Sequence, residues 1–220
     1  MPFEEAYQES ISLARKTLAV MEPEPISIRT GGRWGGNARG EGLLYLTFWA
    51  GDCAIRFPEV GIEIISGPKA LKPAEQIVIL HYLIHARGVP ITENWITFRQ
   101  IPSGMFYYEP FFKRCIKPFT GFFGRHPEIL REFSRGLPTL SSAGLGDISL
   151  VLRPLPNIPL AFVLWQGDDE FPAEGNILFD ETIPSYLPTE DIVVLASILT
   201  YGLLGRGRNL LESKQGMGRR

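Results

Sequence analysis

A series of short β-rich segments, separated by tight turn signals, restricts the fold more than any other feature of the chain. Three of these segments, at residues 43–49, 53–57 and 62–65, are joined only by short Gly-Asp and Pro-Glu-Val-Gly turns. Strands joined this closely pair antiparallel, because a parallel pair needs a crossover of about a dozen residues or more. The sequence therefore predicts an antiparallel meander.

Helical patterns complete the fold class. An apolar stripe with spacings of three and four predicts a first helix, and two further apolar stretches predict a second and a last helix. These helices are expected over residues 3–18, 73–87 and 190–204, and further strands over residues 26–29, 148–153, 160–166 and 176–179. We therefore predict an α+β fold, in which one or two antiparallel sheets are flanked by three main helices.

A turn signal lies between the last two predicted strands, where residues 167–170 read Gly-Asp-Asp-Glu. We predict an exposed connection there between two paired strands. Alternation along the strand then directs Trp165 into the core or a pocket, with its neighbours facing alternately outward.

Composition favours one domain of ordinary size. The chain has 220 residues, of which 45% are apolar and 21% charged. A chain of this length buries about 70% of the surface that its unfolded form exposes. We expect a single α+β domain over residues 1–205 and a basic, flexible tail over residues 206–220. The 23 glycines and 18 prolines indicate many turns, which argues against a plain helical bundle.

Charge and hydropathy exclude several kinds of partner. The net charge of −2 does not favour general nucleic-acid binding. The longest mostly apolar stretch, residues 192–204, has 13 residues, whereas a membrane span needs about 20. The acidic N-terminus lacks the apolar segment of a secretory signal. We therefore expect a soluble, cytoplasmic protein with no nucleic-acid and no membrane partner.

The two cysteines argue against two kinds of chemistry. Cys53 and Cys115 lie far apart in the sequence and form no Cys-x-x-Cys pair, so a cysteine-based zinc or iron–sulfur site built by this chain alone is not expected. The chain also lacks the Gly-x-Ser-x-Gly signature of a nucleophile elbow. A nucleophilic triad is therefore not expected either.

Two histidines on the second helix form the first candidate site. His81 and His85 are four residues apart, which puts both imidazoles on one helical face, as metal-binding helices require. Trp95 and Tyr107 lie in the following aromatic segment, which could enclose a planar or hydrophobic cofactor. The alternative is a packed or half-exposed pair of histidines on an amphipathic helix.

Carboxylates near the last strands form the second candidate site. Asp168, Asp169 and Glu170 follow a glycine, and Asp180 follows the next strand. Carboxylates gathered at element ends bind Mg²⁺ or Ca²⁺, or act as acid and base. The alternative is that they belong to turns and solvated edges, just as Asp191 suits the N-terminal end of the last helix.

A glycine-rich segment, residues 31–42, is the third candidate. Backbone N–H groups there could cradle an anion, aided by Arg33 and Arg39. No P-loop or dinucleotide-binding signature accompanies the glycines. A flexible loop or a hairpin connection is the alternative.

Several strings between residues 80 and 191 resemble a known family. They read Leu-His-Tyr-Leu at residues 80–83, Gly-Val-Pro at 88–90, Trp-Ile-Thr-Phe at 95–98, Ser-Gly-Met-Phe-Tyr at 103–107, Ile-Pro-Leu at 158–160, Leu-Trp-Gln-Gly-Asp-Asp-Glu-Phe-Pro at 164–172, Ile-Leu-Phe-Asp at 177–180 and Tyr-Leu-Pro-Thr-Glu-Asp at 186–191. With these strings the chain resembles the domain-of-unknown-function family 3786, in patches over residues 75–204.

The resemblance brings no established activity. It implies a protein of the kind found in anaerobic bacteria and archaea, where some relatives join this domain to a four-cysteine iron–sulfur module. Two cysteines cannot form that module, so a redox role is not expected of this chain. The resemblance implies work near anaerobic cofactor metabolism.

The leading functional hypothesis is an accessory protein of anaerobic metabolism that binds a small-molecule or metal-containing cofactor. The ligand is expected against the second helix, near His81 and His85, rather than in the glycine loops. One alternative is a metal-dependent enzyme that uses the acidic residues near Asp168 and Asp180. The other is an interaction subunit whose aromatic segment, residues 104–124, covers a partner protein.

Overall fold

The first elements of the chain form a four-stranded sheet and three helices. The computed structural model describes residues 2–49, 51–136 and 144–217. The elements are α1 (Pro2–Leu18), α2 (Pro23–Thr30), β1 (Arg33–Gly36), β2 (Gly42–Phe48), β3 (Gly51–Phe57), β4 (Gly61–Ile64) and α3 (Pro73–His85). Each strand pairs antiparallel with the next in the order β1-β2-β3-β4, which confirms the predicted meander.

The later elements form a second sheet and the remaining helices. They are β5 (Trp95–Thr97), α4 (Gly104–Phe111), α5 (Lys117–Phe123), α6 (Pro127–Gly136), β6 (Ile148–Leu155), β7 (Ile158–Trp165), β8 (Glu174–Asp180) and α7 (Thr189–Met217). The strand order is β5-β8-β7-β6, and β7 pairs antiparallel with β8. The α+β fold class is therefore confirmed.

Residue contacts divide the chain into two compact units. The first unit comprises Met1–Glu93, Arg153–Ile158 and Asp180–Leu195, and the second comprises Asn94–Leu152, Pro159–Phe179 and Ala196–Arg220. The single domain over residues 1–205 and the flexible tail over residues 206–220 stay predictions.

One element of the first unit differs from its prediction. Residues 26–29, expected as a strand, lie in the helix α2. A proline at the first turn presets the backbone of this helix, and the Ser27 hydroxyl donates to the Glu24 carbonyl oxygen at 2.7 Å. Gly31 ends the helix with a φ of 67°, and its N–H bonds to carbonyl oxygens of the last turn. These local contacts outweigh the β preference of two isoleucines.

The second unit has an aromatic core. Phe98 stacks on Phe111 with ring centroids 4.2 Å apart, and Phe111 contacts Phe179 at 5.9 Å. Phe119 packs against Phe162 at 5.3 Å. All five rings are fully buried. Phe111 of α4 and Phe119 of α5 therefore serve packing.

The hairpin of β7 and β8 differs from its prediction in the orientation of Trp165. Residues 166–172 are exposed and connect the paired strands β7 and β8, as predicted. Trp165, however, is 41% exposed, and the rest of β7 is buried on both faces instead of alternating. Alternation fails because this strand is covered from both sides, as near-continuous apolar strands usually are.

The last helix is longer than its sequence pattern indicated. It continues to Met217, whereas the apolar pattern ends near residue 204. The first turns of this helix are covered on nearly all sides, because Ile192, Val193, Leu195 and Ala196 are all buried. Residues 218–220 lie outside the described residues.

Candidate ligand-binding site

The two histidines of α3 form a connected pair with a carboxylate from α7. Nδ1 of His81 lies 2.6 Å from Oδ2 of Asp191, and Asp191 is almost fully buried in the first turn of α7. Since an ionised carboxylate only accepts hydrogen bonds, Nδ1 of His81 carries the proton that is donated to Asp191. The rings of His81 and His85 meet edge to face at 5.7 Å, so the expected common face is confirmed.

His85 is held in its neutral form by its surroundings. Burial lowers the pKa of His85 below its usual 6.5, and the neighbouring His81 and Arg87 lower it further, while Asp191 opposes them. A neutral imidazole offers one donor and one acceptor. His85 can therefore hydrogen-bond a ligand at neutral pH and take up a proton if an anion binds.

A groove opens beside His85 at the C-terminal end of α3. It has a volume of about 680 Å³, and its walls come from α2, from the end of α3 and from the segment before α7. The lining residues are Arg29, Ile84, His85, Ala86, Arg87, Pro184, Leu187 and Pro188. Three of them are basic and none is acidic, so the groove favours a negatively charged ligand.

Backbone contacts position the two arginines of the groove. Nε of Arg29 donates to the Ala86 carbonyl oxygen at 3.0 Å, and the Asn157 side-chain amide donates to the Arg29 carbonyl oxygen at 3.1 Å. The N–H of Arg87 donates to the Ser185 carbonyl oxygen at 3.1 Å. Within the described part of the chain, neither guanidinium forms an ion pair. Most of their donors are therefore available to a ligand.

The other two predicted cofactor residues lie in the second unit. Trp95 is half-buried on β5 and packs against the cluster of Val151, Ala161 and Val163. Tyr107 is half-buried on α4. His81 and His85 belong to the first unit. A shared site of all four residues stays a prediction.

Asp180 has a structural role that sequence reasoning missed. Its buried carboxylate accepts the N–H groups of Thr92, Glu93 and Thr182 at 3.1, 2.7 and 3.0 Å, together with the Thr182 hydroxyl. Glu93 has a φ of 61°, so the carboxylate fixes a turn in left-handed conformation. Its oxygens are thereby occupied by the protein itself.

The remaining predicted metal ligands are exposed. Oδ1 of Asp168 accepts the N–H groups of Phe171 and Glu170 at 2.8 and 2.9 Å, and these bonds lower the pKa of Asp168. Asp169 and Glu170 lie in the same exposed connection. Among the described residues, no group of three His, Cys, Asp or Glu side chains could hold a metal ion. A metal site that uses Asp168, Asp169, Glu170 and Asp180 stays a prediction.

The glycine-rich segment is a hairpin connection. Its residues form β1 and the turn to β2, and the side-chain oxygen of Asn37 accepts the N–H of Arg39 at 2.9 Å. The Arg33 guanidinium lies 4.1 Å from the centre of the Tyr45 ring. Asn37 and the neighbouring Tyr45 of β2 thus hold the segment in place.

The cysteines are buried thiols. Burial raises the pKa of Cys53 and of Cys115 to about 12 in each case. Because the thiolate is the reactive form, neither side chain is suited to nucleophilic attack at neutral pH.

The sequence analysis singles out His85, which lines the groove, but neither of the two arginines. Arg29 lies in a segment that the sequence predicts as a strand, and Arg87 lies at the predicted end of a helix. Asp191 was explained by the helix dipole alone. Only the charge and position of Arg87, two residues after His85, could have drawn attention to it.

These features define an α+β protein with a basic groove beside a carboxylate-linked histidine pair. The chain belongs to the family described as Domain of unknown function (DUF3786), whose model matches residues 22–201. That span contains every residue of the groove. Comparison with curated proteins and with solved structures found no match. In the described part of the chain, no helix is long and apolar enough to cross a membrane.

Proposed function

We propose that this protein binds a small organic anion in the groove beside His85. The observation that carries the proposal is the lining of the groove, which brings Arg29, His85 and Arg87 together without an acidic side chain. The volume of about 680 Å³ lies in the range typical of small-molecule sites. This proposal keeps the hypothesis of a ligand against the helix that carries His85, now α3, and adds that the ligand is negatively charged.

The groove suits a ligand with a carboxylate or phosphate group and a carbon portion. Each guanidinium presents a planar fork of donors that matches such groups. Arg29 is already fixed by its bond to Ala86, so less side-chain freedom is lost on binding. Ile84 and Leu187 offer apolar contact to the carbon portion.

The His81–Asp191 pair acts as a positioning element in this proposal. Its hydrogen bond fixes the His81 ring, and the ring contact extends this order to His85. His85 then completes the anion site by donating from a ring nitrogen. A wider role as an accessory protein of anaerobic metabolism rests on the family resemblance alone.

Titration followed by NMR tests the proposal. We expect sulfate and succinate to shift the His85 imidazole resonances in a saturable way. Arg87→Gln should weaken binding about tenfold, which corresponds to ~1.4 kcal/mol. Arg39→Gln, which changes an exposed arginine in the turn between β1 and β2, serves as the matched control and should bind normally. Linear, non-saturating shifts with both anions would overturn the proposal.

A further inference from the structure

We propose that the second unit contains a separate site for an organic phosphate of mononucleotide size. A groove of about 640 Å³ lies between α5 and α7. Four of its lining residues are permanently cationic, namely Lys113, Lys117, Arg125 and Arg208. Phe122 and Tyr201 add aromatic surface, and no acidic side chain lines the groove among the residues that the structure describes. This site shares no residue with the groove beside His85.

The cationic wall follows from a regular spacing along the chain. Lys113 lies in a π-helical turn, Phe112–Ile116, Lys117 begins α5, and Arg125 follows the end of α5. The three cations are separated by four and eight positions, with Gly121 between the last two. In the π turn the N–H of Lys117 bonds to the carbonyl oxygen of Phe112, five residues back. Single π turns inside helices are frequent at functional sites.

The opposite wall comes from one face of α7. Tyr201, Leu204 and Arg208 are spaced by three and four residues, so they project on the same side of the helix. A Cβ at Gly207 would lie only 2.6 Å from the Phe122 ring. The absence of that atom lets α7 approach Phe122 closely.

Most of the positive charge in this groove is unpaired. Lys113 forms an exposed ion pair with Glu109 at 2.8 Å, and Nε of Arg125 donates to the Gly121 carbonyl oxygen at 2.8 Å. Within the described residues, Lys117 and Arg208 form no ion pair. Positive charges gathered in one groove repel one another, and an anion with more than one negative charge offsets that repulsion. The groove therefore favours a multivalent anion.

The aromatic surface narrows the class of anion. The Tyr201 side chain is 55% exposed and lies with Phe122 among the lysines and arginines. A planar base stacks on such rings, while phosphate oxygens accept from lysine and arginine. The bounded volume and the overall charge of −2 favour a mononucleotide over a polynucleotide, which needs an extended basic surface.

Calorimetry with three probes tests this site: ADP, adenosine and pyrophosphate. We expect ADP to bind saturably and adenosine to bind at least tenfold more weakly. Lys117→Gln and Arg208→Gln should each weaken ADP binding about tenfold. Tyr201→Ala should weaken ADP binding but leave pyrophosphate binding unchanged, because only the base contacts the ring. Lys69→Gln, an exposed lysine of the first unit, is the matched control.

Three outcomes would overturn the inference. One is the absence of ADP binding at millimolar concentration by a chain that melts normally. Another is ADP binding that Arg87→Gln weakens and Lys117→Gln does not, which would assign ADP to the groove beside His85. The third is a single-stranded oligonucleotide that binds more tightly than ADP. Arg208→Lys keeps the charge and should retain more affinity than Arg208→Gln, which guards against a folding defect.

Discussion

At the scale of single residues, the hydrogen bonds of a side chain decide its role more than its type does. Asp180 and Asp168 are both aspartates near the ends of predicted strands. The first is buried and holds a turn through three N–H groups, whereas the second is exposed and closes a turn in solvent. The two carboxylates are therefore expected to contribute very different amounts to the free energy of unfolding.

We predict that Asp180→Ala destabilises the protein by about 1–3 kcal/mol, because it removes the acceptor of three N–H groups, of which that of Thr182 is buried. Chemical denaturation should show this loss. Asp180→Asn keeps one carbonyl oxygen and should cost less. Asp169→Ala, at an exposed neighbour, should stay within about 0.5 kcal/mol. Equal effects of Asp180→Ala and Asp169→Ala would contradict the assigned role.

A second prediction concerns pH and His85. Its folded pKa is lowered, so the unfolded chain binds a proton at a higher pH than the folded chain does. Stability should therefore fall as pH decreases through about 6.5, and the loss should be complete below the folded pKa. The groups around the ring are His81, Asp191 and Arg87.

A bound anion raises the pKa of His85 again, because its negative charge stabilises the protonated ring. Sulfate keeps its charge between pH 8 and pH 5, so its affinity should rise as pH decreases, and His85→Gln should remove part of that rise. Denaturation and sulfate titrations at several pH values measure both effects. A flat affinity profile in the wild-type protein would exclude His85 from the site.

At the scale of elements, helix ends and helix cover matter most. Gly31 ends α2 with a φ of 67°, and a Cβ there would approach the Pro156 Cβ to 3.0 Å. We predict that Gly31→Ala costs about 1–2 kcal/mol through the left-handed backbone alone. Gly61→Ala is the matched control, because nothing lies within 4 Å of its added Cβ. Thermal melts that shift equally for both variants would contradict the prediction.

The last helix gives a second prediction at this scale. Leu195 is fully buried, so Leu195→Ala should cost about 2–5 kcal/mol in denaturant melts. Asn209→Ala, on an exposed position of the same helix, should stay within about 0.5 kcal/mol. A loss well under 1 kcal/mol for Leu195→Ala would be inconsistent with its burial.

At the scale of the whole molecule, local signals predicted the fold better than the site. The meander followed from turns only a few residues long, and the spacing of His81 and His85 followed from helix geometry. The helix α2 was missed because its side-chain bonds and its glycine end outweigh residue preferences. Arg29 joins His85 and Arg87 only through the tertiary fold, which no local pattern encodes.

Each of the two units contains one buried cysteine, whose alkylation rate can be measured separately. Cys53 belongs to the first unit and Cys115 to the second, and both thiols are closed off from solvent. An alkylating reagent can reach each sulfur only when the surrounding unit opens, so each alkylation rate reports the opening free energy of one unit. Peptide mass spectrometry of the labelled chain resolves the two rates. A ligand that slows alkylation at Cys53 alone would then report occupancy of the first unit without any engineered probe.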